Sequence, residues 1–158
     1  MTGGVIAGLA RHARPRAPME EINRATITPE YGVEGDCKGR FKPDGRNRRQ
    51  VTLIERADWE AATAEVGVDL PWSARRANIL VDGLDLPQVP GTVLRIGDVR
   101  LMVMVECNPC SRMDALAPGL QAALNTDWRG GVCTRVLSGG EIAVGDAIVV
   151  ENVMETVG

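Results

Sequence analysis

Short apolar runs separated by glycine-containing turns are the main feature of the hydrophobic pattern along this chain. Each run is rich in Val, Ile and Leu and is bounded by Gly, Asp or Pro. Runs of this kind are typical of β-strands. The predicted strands cover residues 3–10, 50–54, 78–81, 132–137 and 147–150.

The clearest local signal is a β-hairpin. Two apolar runs, residues 93–96 and 99–105, flank the dipeptide Gly97-Asp98. A two-residue Gly-Asp turn between apolar runs is typical of a hairpin. Together the runs predict six or more short strands, which favours a β-barrel or a β-sandwich over alternating βαβ units.

Helical spacing is confined to two segments. Apolar residues recur at helical intervals across residues 55–66, and Gly67 follows them as a C-cap residue. A second, short helix is predicted over residues 119–124. Residues 20–30 fit neither period, and residues 32–48 are predicted to form a long Gly-rich loop.

Length and composition predict one folded domain over residues 1–158, with a C-terminal tail at 151–158. The 158 residues are 44% hydrophobic and 25% charged, which excludes wholesale disorder. The chain contains no apolar run of about 18 residues, and its first residues lack the basic region of a signal peptide. We therefore expect a cytoplasmic protein with no membrane association, and residues 152–158 are expected to fray.

Arginine dominates the basic residues, because Lys38 and Lys42 are the only lysines among 18 basic side chains. Two explanations of this composition are open. One is a coding bias, and the other is a need for guanidinium groups that clamp phosphate or carboxylate groups. A net charge of −3 and an aromatic content of 3% argue against nucleic-acid binding.

Three basic clusters are candidate anion sites. The Gly-rich loop carries a run of positive charges that ends at Arg49 and could close over an anionic ligand. The segment Arg75-Arg76-Ala77-Asn78 precedes a predicted strand, where two guanidinium groups and an amide can converge on one anion. Arg129-Gly130-Gly131 precedes another strand in the same way.

The chain has four cysteines, which in the absence of a signal peptide are expected to be free thiols, metal ligands or catalytic groups. The motif Cys107-Asn108-Pro109-Cys110 directly follows a predicted strand. Three interpretations compete: a zinc site completed by Cys37 or Cys133 and His12, a dithiol redox pair, and one functional cysteine. We interpret Cys107 as a small buried apolar residue. Cys110 is interpreted as functional, because Arg112 beside it favours the thiolate.

Several short motifs follow one another in order over residues 3–150. They are Gly32-Val33-Glu34-Gly35-Asp36, Arg49-Gln50-Val51-Thr52-Leu53-Ile54, Arg75-Arg76-Ala77-Asn78-Ile79, Asp82-Gly83-Leu84-Asp85-Leu86, Leu94-Arg95-Ile96-Gly97-Asp98, Pro109-Cys110-Ser111-Arg112-Met113, Arg129-Gly130-Gly131 and Gly140 to Asp146. In this order and spacing they resemble the MOSC domain, the module named for the C-terminal part of molybdenum-cofactor sulfurases.

The resemblance implies a mainly β protein, namely a closed β-barrel of complex topology, similar to the pyruvate-kinase barrel, with one or two peripheral helices. It implies that Cys110 is the family cysteine, which carries sulfur as a persulfide or ligates the molybdenum of a pterin cofactor (molybdopterin). The expected cofactor-binding residues around the pterin phosphate are Arg49, Arg75, Arg76, Asn78, Arg112 and Arg129.

The chain departs from the family pattern at two places. Where the family often has Gly-Asp-Arg-His, this chain has Gly35-Asp36-Cys37-Lys38, so the loop lacks a histidine. Where Arg-Glu-Asn is common, Arg76-Ala77-Asn78 lacks the carboxylate. Acid–base chemistry at these positions is therefore not expected.

Two functional hypotheses follow from the resemblance, and a third belongs to a different class. The first is a molybdenum-cofactor protein that reduces a small molecule, such as an N-hydroxylated compound, with electrons from a partner protein. The second is a sulfur carrier loaded by a separate cysteine desulfurase, since with two lysines, both in the loop, no pyridoxal phosphate site is expected in the chain. The third is a non-catalytic zinc-binding or partner-recruiting module that uses Cys107 and Cys110.

Overall fold

The computed structural model describes residues 3–151, and eleven strands, three α-helices and two 3-10 turns occupy this range. The strands are β1 Gly3–Arg11, β2 Glu20–Ile22, β3 Arg24–Thr28, β4 Gly32–Val33, β5 Val51–Glu55, β6 Ile79–Asp82, β7 Val93–Ile96, β8 Val99–Glu106, β9 Val132–Ser138, β10 Gly140–Ala143 and β11 Ala147–Glu151. The helices are α1 Arg56–Val66, α2 Arg112–Leu116 and α3 Leu120–Asn125, and the 3-10 turns are Trp72–Arg75 and Thr126–Trp128.

Seven strands close into a mixed β-barrel in the order β11-β7-β8-β9-β5-β6-β1, and β1 pairs with β11 to complete the circle. Strand β1 closes the barrel because its first residues pair with β11 while the following residues, as far as Leu9, pair with β6. The pairing of β5 with β6 is parallel, and the other six pairings around the barrel are antiparallel. The closed barrel predicted from the resemblance is confirmed.

The parallel pair β5–β6 requires a crossover connection, and this connection determines where the outer helices lie. It consists of α1 and the 3-10 turn Trp72–Arg75, which ends just before β6. Both strands are buried on two faces: Leu53 and Ile79 point into the barrel, while Ile54 and Leu80 pack against the helices. The crossover therefore places the Arg75-Arg76 dipeptide at the entrance of a buried strand.

The outer helices share one apolar cluster with the barrel wall. Trp59 of α1, Met113 of α2 and Leu120 and Leu124 of α3 are all buried in it. Helix α1 ends at Gly67, whose φ of 74° closes the helix in the left-handed conformation, as predicted. Helix α2 was not predicted, because five residues are too few to show a helical period; its contacts with this cluster stabilise it.

A second sheet of three short strands, in the order β10-β3-β4, lies beside the barrel. Strand β3 falls within the segment whose period was ambiguous, because only Ala25 and Ile27 point inward. Strand β10 was not among the predicted strands: it begins at Gly140 and leaves the barrel to pair with β3.

The remaining predicted elements agree with the structure to within a residue or two. The hairpin at Gly97-Asp98 is formed, with Ile96 opposite Val99. The tail predicted at 151–158 begins with the last residue of β11, and residues 152–158 lie outside the described residues. No helix within residues 3–151 has the length and apolar character needed to cross a bilayer.

Gly131 packs between β5 and the residue that follows β8. Its φ is +98°, and an added Cβ would lie 2.1 Å from the carbonyl oxygen of Leu53. Its own carbonyl accepts a hydrogen bond from the amide of Cys107 at 2.8 Å. This position therefore requires glycine both for its backbone conformation and for its contact with β5.

We expect Gly131→Ala to lower the free energy of unfolding by about 3 kcal/mol or more, since backbone strain and overpacking add there. The matched control is Gly145→Ala, at which φ is +99° but no atom lies within 4 Å of the added Cβ. That substitution is expected to cost about 1 kcal/mol, from strain alone. Equilibrium urea unfolding measures both values, and equal losses would contradict the assignment.

Candidate functional site

A cavity of about 550 Å³ opens where the ends of β1 and β8 meet the starts of β5 and β6. Its wall contains seven basic side chains and a single carboxylate, and all four cysteines of the chain line it. The lining residues are His12, Asp36, Cys37, Lys38, Arg40, Lys42, Arg49, Gln50, Thr52, Arg75, Arg76, Ala77, Asn78, Cys107, Asn108, Cys110, Arg112, Met113 and Cys133. The excess of positive charge favours an anionic ligand.

Arg75 is the buried centre of this cavity, with 8% of its surface exposed. Its Nη2 atom donates hydrogen bonds to the carbonyl oxygens of Cys107 at 2.8 Å and Gly130 at 3.0 Å. The same atom lies 3.4 Å from the Sγ atom of Cys107. Arg75 therefore connects the end of β8 to the turn before β9 and places a positive charge against a thiol.

Cys107 is the thiol whose chemistry the fold changes most. A hydrogen bond from Cys133 lowers the pKa of Cys107 to about 6, and the charges of Arg75 and Arg49 act in the same direction against the effect of burial. The same hydrogen bond and burial raise the pKa of Cys133 well above its ordinary value. The surroundings of Cys107 therefore favour its thiolate over its thiol.

The surroundings of Cys107 differ from those expected of a small buried apolar residue. It is only partly buried, and the charge of its thiolate is stabilised by neighbours that come from β9 and from the crossover before β6. The sequence shows no signal for this arrangement, because Arg75 and Cys133 are distant from Cys107 along the chain.

Cys110 is more accessible than Cys107, since its side chain is exposed. It follows the buried Pro109 and precedes α2, and its carbonyl accepts a hydrogen bond from the amide of Met113 at 3.0 Å. The burial of Met113 in the helical cluster fixes this turn. Arg112 is exposed and lines the cavity on the same side.

His12, the only histidine of the chain, lies beside Asp36 at the end of β1. The Nδ1 atom of His12 is 3.2 Å from the Oδ1 atom of Asp36, and both side chains are 3% exposed. Neither ring nitrogen has a hydrogen-bond partner. An imidazole thus lies against Asp36 although the loop itself has lysine where the family often has histidine.

Burial is the main cause that lowers the pKa of His12 from 6.5, and the charge of Asp36 opposes it. Positive charges around the cavity add to the effect of burial; they belong to Arg76, Lys38 and Arg112. The imidazole is therefore neutral at pH 7.

The basic loop is held in place by Gln50, which is buried at the start of β5. Its Nε2 atom donates to the carbonyls of Pro29 at 2.7 Å and Gly39 at 3.1 Å, and its Oε1 atom accepts from the amide of Val136 at 3.0 Å. The loop can approach this closely because residue 39 is glycine and has no Cβ. A Cβ at Gly39 would lie 2.5 Å from the carbonyl oxygen of Tyr31. These contacts bring the loop's basic side chains to the cavity; they are Lys38, Arg40, Lys42 and Arg49.

The structure brings Cys110, Arg49, Arg75, Arg76, Asn78 and Arg112 to one cavity, as their motifs predicted. The side chain of Asn78, however, forms hydrogen bonds within the fold. Its Oδ1 atom accepts from the Thr52 amide, and its Nδ2 atom donates to the Ala10 carbonyl. Arg76 donates to the Ala17 carbonyl at 2.9 Å and keeps its buried Nε atom without a partner.

The structure places Arg129 outside the lining of this cavity. Its Nη1 atom lies 3.3 Å from the Oε1 atom of Glu65 on α1 and 3.3 Å from the Ala123 carbonyl of α3. The glycines that follow Arg129 turn the chain into β9, and its side chain extends toward the helices instead.

A zinc site built from the cysteines and His12 is not formed. Within residues 3–151 no three His, Cys, Asp or Glu side chains are arranged to hold one metal ion. Cys107 and Cys110 lie at different depths, and the Sγ atom of Cys107 contacts the Arg75 guanidinium instead.

Comparison with protein families matches most of the chain. The family model of the MOSC domain matches residues 41–149. The chain belongs to the MOSC domain family. The matched residues include the arginine pair, Cys110 and the strands β5 to β9, while the motif Gly32 to Asp36 precedes them. The family is generally associated with the molybdenum cofactor.

Solved structures share the architecture of this MOSC-domain chain. The YuaD protein from Bacillus subtilis is 18% identical, with a TM-score of 0.76, over 92% of this chain and 94% of that chain. YiiM from Escherichia coli is 17% identical, with a TM-score of 0.68, over 94% and 70% of the two chains. YiiM from Geobacillus stearothermophilus is 16% identical, with a TM-score of 0.66, over 94% and 73%. No curated protein matches the chain by sequence. At these identities the likeness shows the fold alone.

We expect His12 to remain neutral at pH values at which an unfolded histidine takes up a proton. Its ring signals in an NMR titration identify it directly, because the chain has no other histidine. The native titration midpoint should lie below 6.5 and should rise in Arg76→Ala, which removes a nearby positive charge. The free energy of unfolding should fall as the pH drops below 6.5, since the unfolded chain then binds the proton more readily. A native midpoint at or above 6.5 would contradict this description.

Proposed function

We propose that this MOSC-domain protein binds the molybdenum cofactor in the cavity around Arg75, with Cys110 as the thiolate ligand of the metal. The observation that carries the proposal is the meeting of soft sulfur donors and a cluster of guanidinium groups in one cavity. Thiolates suit the metal, and guanidinium groups suit the phosphate of the pterin.

The residues present fit this group. The Nε atoms of Arg75 and Arg76 are buried without hydrogen-bond partners, and both side chains line the cavity. Buried donors of this kind are rare in folded proteins unless a ligand or water satisfies them. A cavity of about 550 Å³ also lies within the range of about 300–1,000 Å³ that is usual for small-molecule sites.

The side chains divide into two roles. Arg49 and Arg112 are exposed around the cavity and would bind the phosphate through charge-assisted hydrogen bonds. Arg75 and Arg76 are partly committed to backbone carbonyls, so they would present a fixed positive charge and their remaining donors. Asn78 would mainly hold the start of β6 in place, because its Oδ1 atom and one N–H of its Nδ2 atom are bonded within the fold.

When bound, the cofactor would supply two-electron redox chemistry, and a separate protein would deliver the electrons. The neutral His12 lines the same cavity and can accept or donate a proton there, with Asp36 beside its Nδ1 atom. The chain itself thus supplies a ligand, an anion site and a proton-transfer group for the reduction of a small molecule.

A second candidate function is sulfur carrying on Cys110, and the number of thiols in the cavity favours it. One thiolate is enough to ligate a metal, but four cysteines line this cavity and Cys107 is activated as a thiolate. An exposed Cys110 can reach the persulfide of a separate cysteine desulfurase.

Removal of the Cys110 thiol tests the cofactor proposal. The protein is purified from a host that makes the cofactor, and bound molybdenum is measured by mass spectrometry. We expect occupancy to fall roughly 10–100-fold in Cys110→Ala and to persist in Cys37→Ala, which removes another cavity thiol. A native protein without molybdenum, or equal occupancy in Cys110→Ala, would contradict the proposal.

Arg112 and Arg129 form a matched pair for the anion site. Arg112→Ala removes a cavity charge and should weaken cofactor retention roughly tenfold, the usual effect of one charge-assisted hydrogen bond. Arg129→Ala removes a charge outside the cavity and should leave retention unchanged. Equal effects of the two substitutions on the molybdenum-to-protein ratio after dialysis would contradict this placement of the anion site.

A further inference from the structure

The thiols of the cavity lie at two depths. Cys110 is exposed, Cys107 is half-buried, and Cys133 behind it has no exposed surface. A protein donor can therefore reach Cys110, whereas Cys107 is accessible only from inside the cavity. This inference rests on the sulfur-carrying candidate function.

Cys107 is held more firmly than Cys110. Its amide donates to the Gly131 carbonyl at 2.8 Å and its carbonyl accepts from Arg75 at 2.8 Å, so both backbone groups are bonded to neighbouring elements. Its Sγ atom lies 3.4 Å from the Nη2 atom of Arg75. The Nε atom of the same guanidinium is buried without a partner, which leaves a donor for an additional anionic atom.

We propose that Cys107 is a second sulfur site, to which sulfane sulfur loaded on Cys110 is passed within the CxxC turn. In this step the Cys107 thiolate attacks the outer sulfur of the Cys110 persulfide. A new S–S bond forms at Cys107, the S–S bond at Cys110 breaks, and Cys110 leaves as a thiolate. The proton stays on the transferred sulfur, so neither an oxidant nor a reductant is consumed.

The two ends of the turn differ in charge and in access, and burial at Cys107 would retain the transferred sulfur. At Cys107 the terminal sulfur of a persulfide would lie near Arg75 and within the field of Arg49, which stabilise its anion. Its burial also protects it from thiols in solution, which would otherwise remove the sulfur. The lowered pKa of Cys107 ensures that the attacking group is ionised at neutral pH.

The alternative chemistry for the same pair is attack by Cys107 on the inner sulfur. That step would release hydrosulfide and leave a disulfide between Cys107 and Cys110. The two outcomes differ in mass, because transfer keeps one added sulfur on the protein. Disulfide formation releases that sulfur as hydrosulfide and leaves the protein lighter than the unloaded dithiol by both thiol hydrogens.

The test is to load the whole chain with a cysteine desulfurase and cysteine, trap persulfides by alkylation, and locate the added sulfur by peptide mass spectrometry. We expect roughly tenfold more added sulfur on Cys107 than on Cys110 in the native protein. In Cys107→Ser the sulfur should remain on Cys110. In Cys110→Ser loading by the enzyme should fall at least roughly tenfold, while a small inorganic polysulfide should still modify Cys107.

The control Cys37→Ser removes a cavity thiol outside the CxxC turn and should leave the distribution unchanged. Sulfur that stays on Cys110 in the native protein, or a disulfide between Cys107 and Cys110, would overturn the relay but leave sulfur carrying intact. The absence of added sulfur from both cysteines in every variant would overturn sulfur carrying itself, and the relay with it.

Discussion

The site depends on the contacts that the buried guanidinium of Arg75 makes with its neighbours. A buried charge is costly unless hydrogen bonds and an opposite charge compensate for it. Two backbone carbonyls and the Cys107 sulfur do so here, from the end of β8 and from the turn before β9. The same contact joins two strands of the barrel and stabilises a thiolate, so structure and chemistry depend on one side chain.

The crossover between β5 and β6 is what makes this contact possible. Because the two strands are parallel, the chain must leave the barrel through α1 and return, and the return segment carries Arg75 and Arg76 under the end of β8. The loop held by Gln50 then adds further positive charge from the other side. The cavity is therefore rich in cations and thiols while the chain as a whole has a net charge of −3.

Most elements of the fold could be predicted from local sequence patterns, because the barrel strands are apolar runs bounded by glycine turns. Helix α1 has a helical period and a C-cap glycine of its own. The strand β3 was missed because its two inward apolar residues are too few to establish a pattern. In the candidate site, the motifs of Cys110 and Arg75 predicted that the two residues lie together, and both line one cavity. Cys107, Cys133 and His12, in contrast, acquire their properties from neighbours distant in sequence. The location of Arg129 could not be predicted, because the motif Arg-Gly-Gly does not specify the direction of its side chain, which extends to Glu65.

The most direct test of this account is the ionisation of Cys107, measured as the rate of its alkylation against pH in a chain whose Cys37 and Cys110 are replaced by alanine. Cys133, whose pKa is raised, should stay unmodified across the same range. We expect a half-maximal rate near pH 6 in this chain and at a higher pH when Cys133→Ala or Arg75→Lys is added. A half-maximal rate near pH 9, the ordinary value for a thiol, would contradict the thiolate and the role given to Arg75.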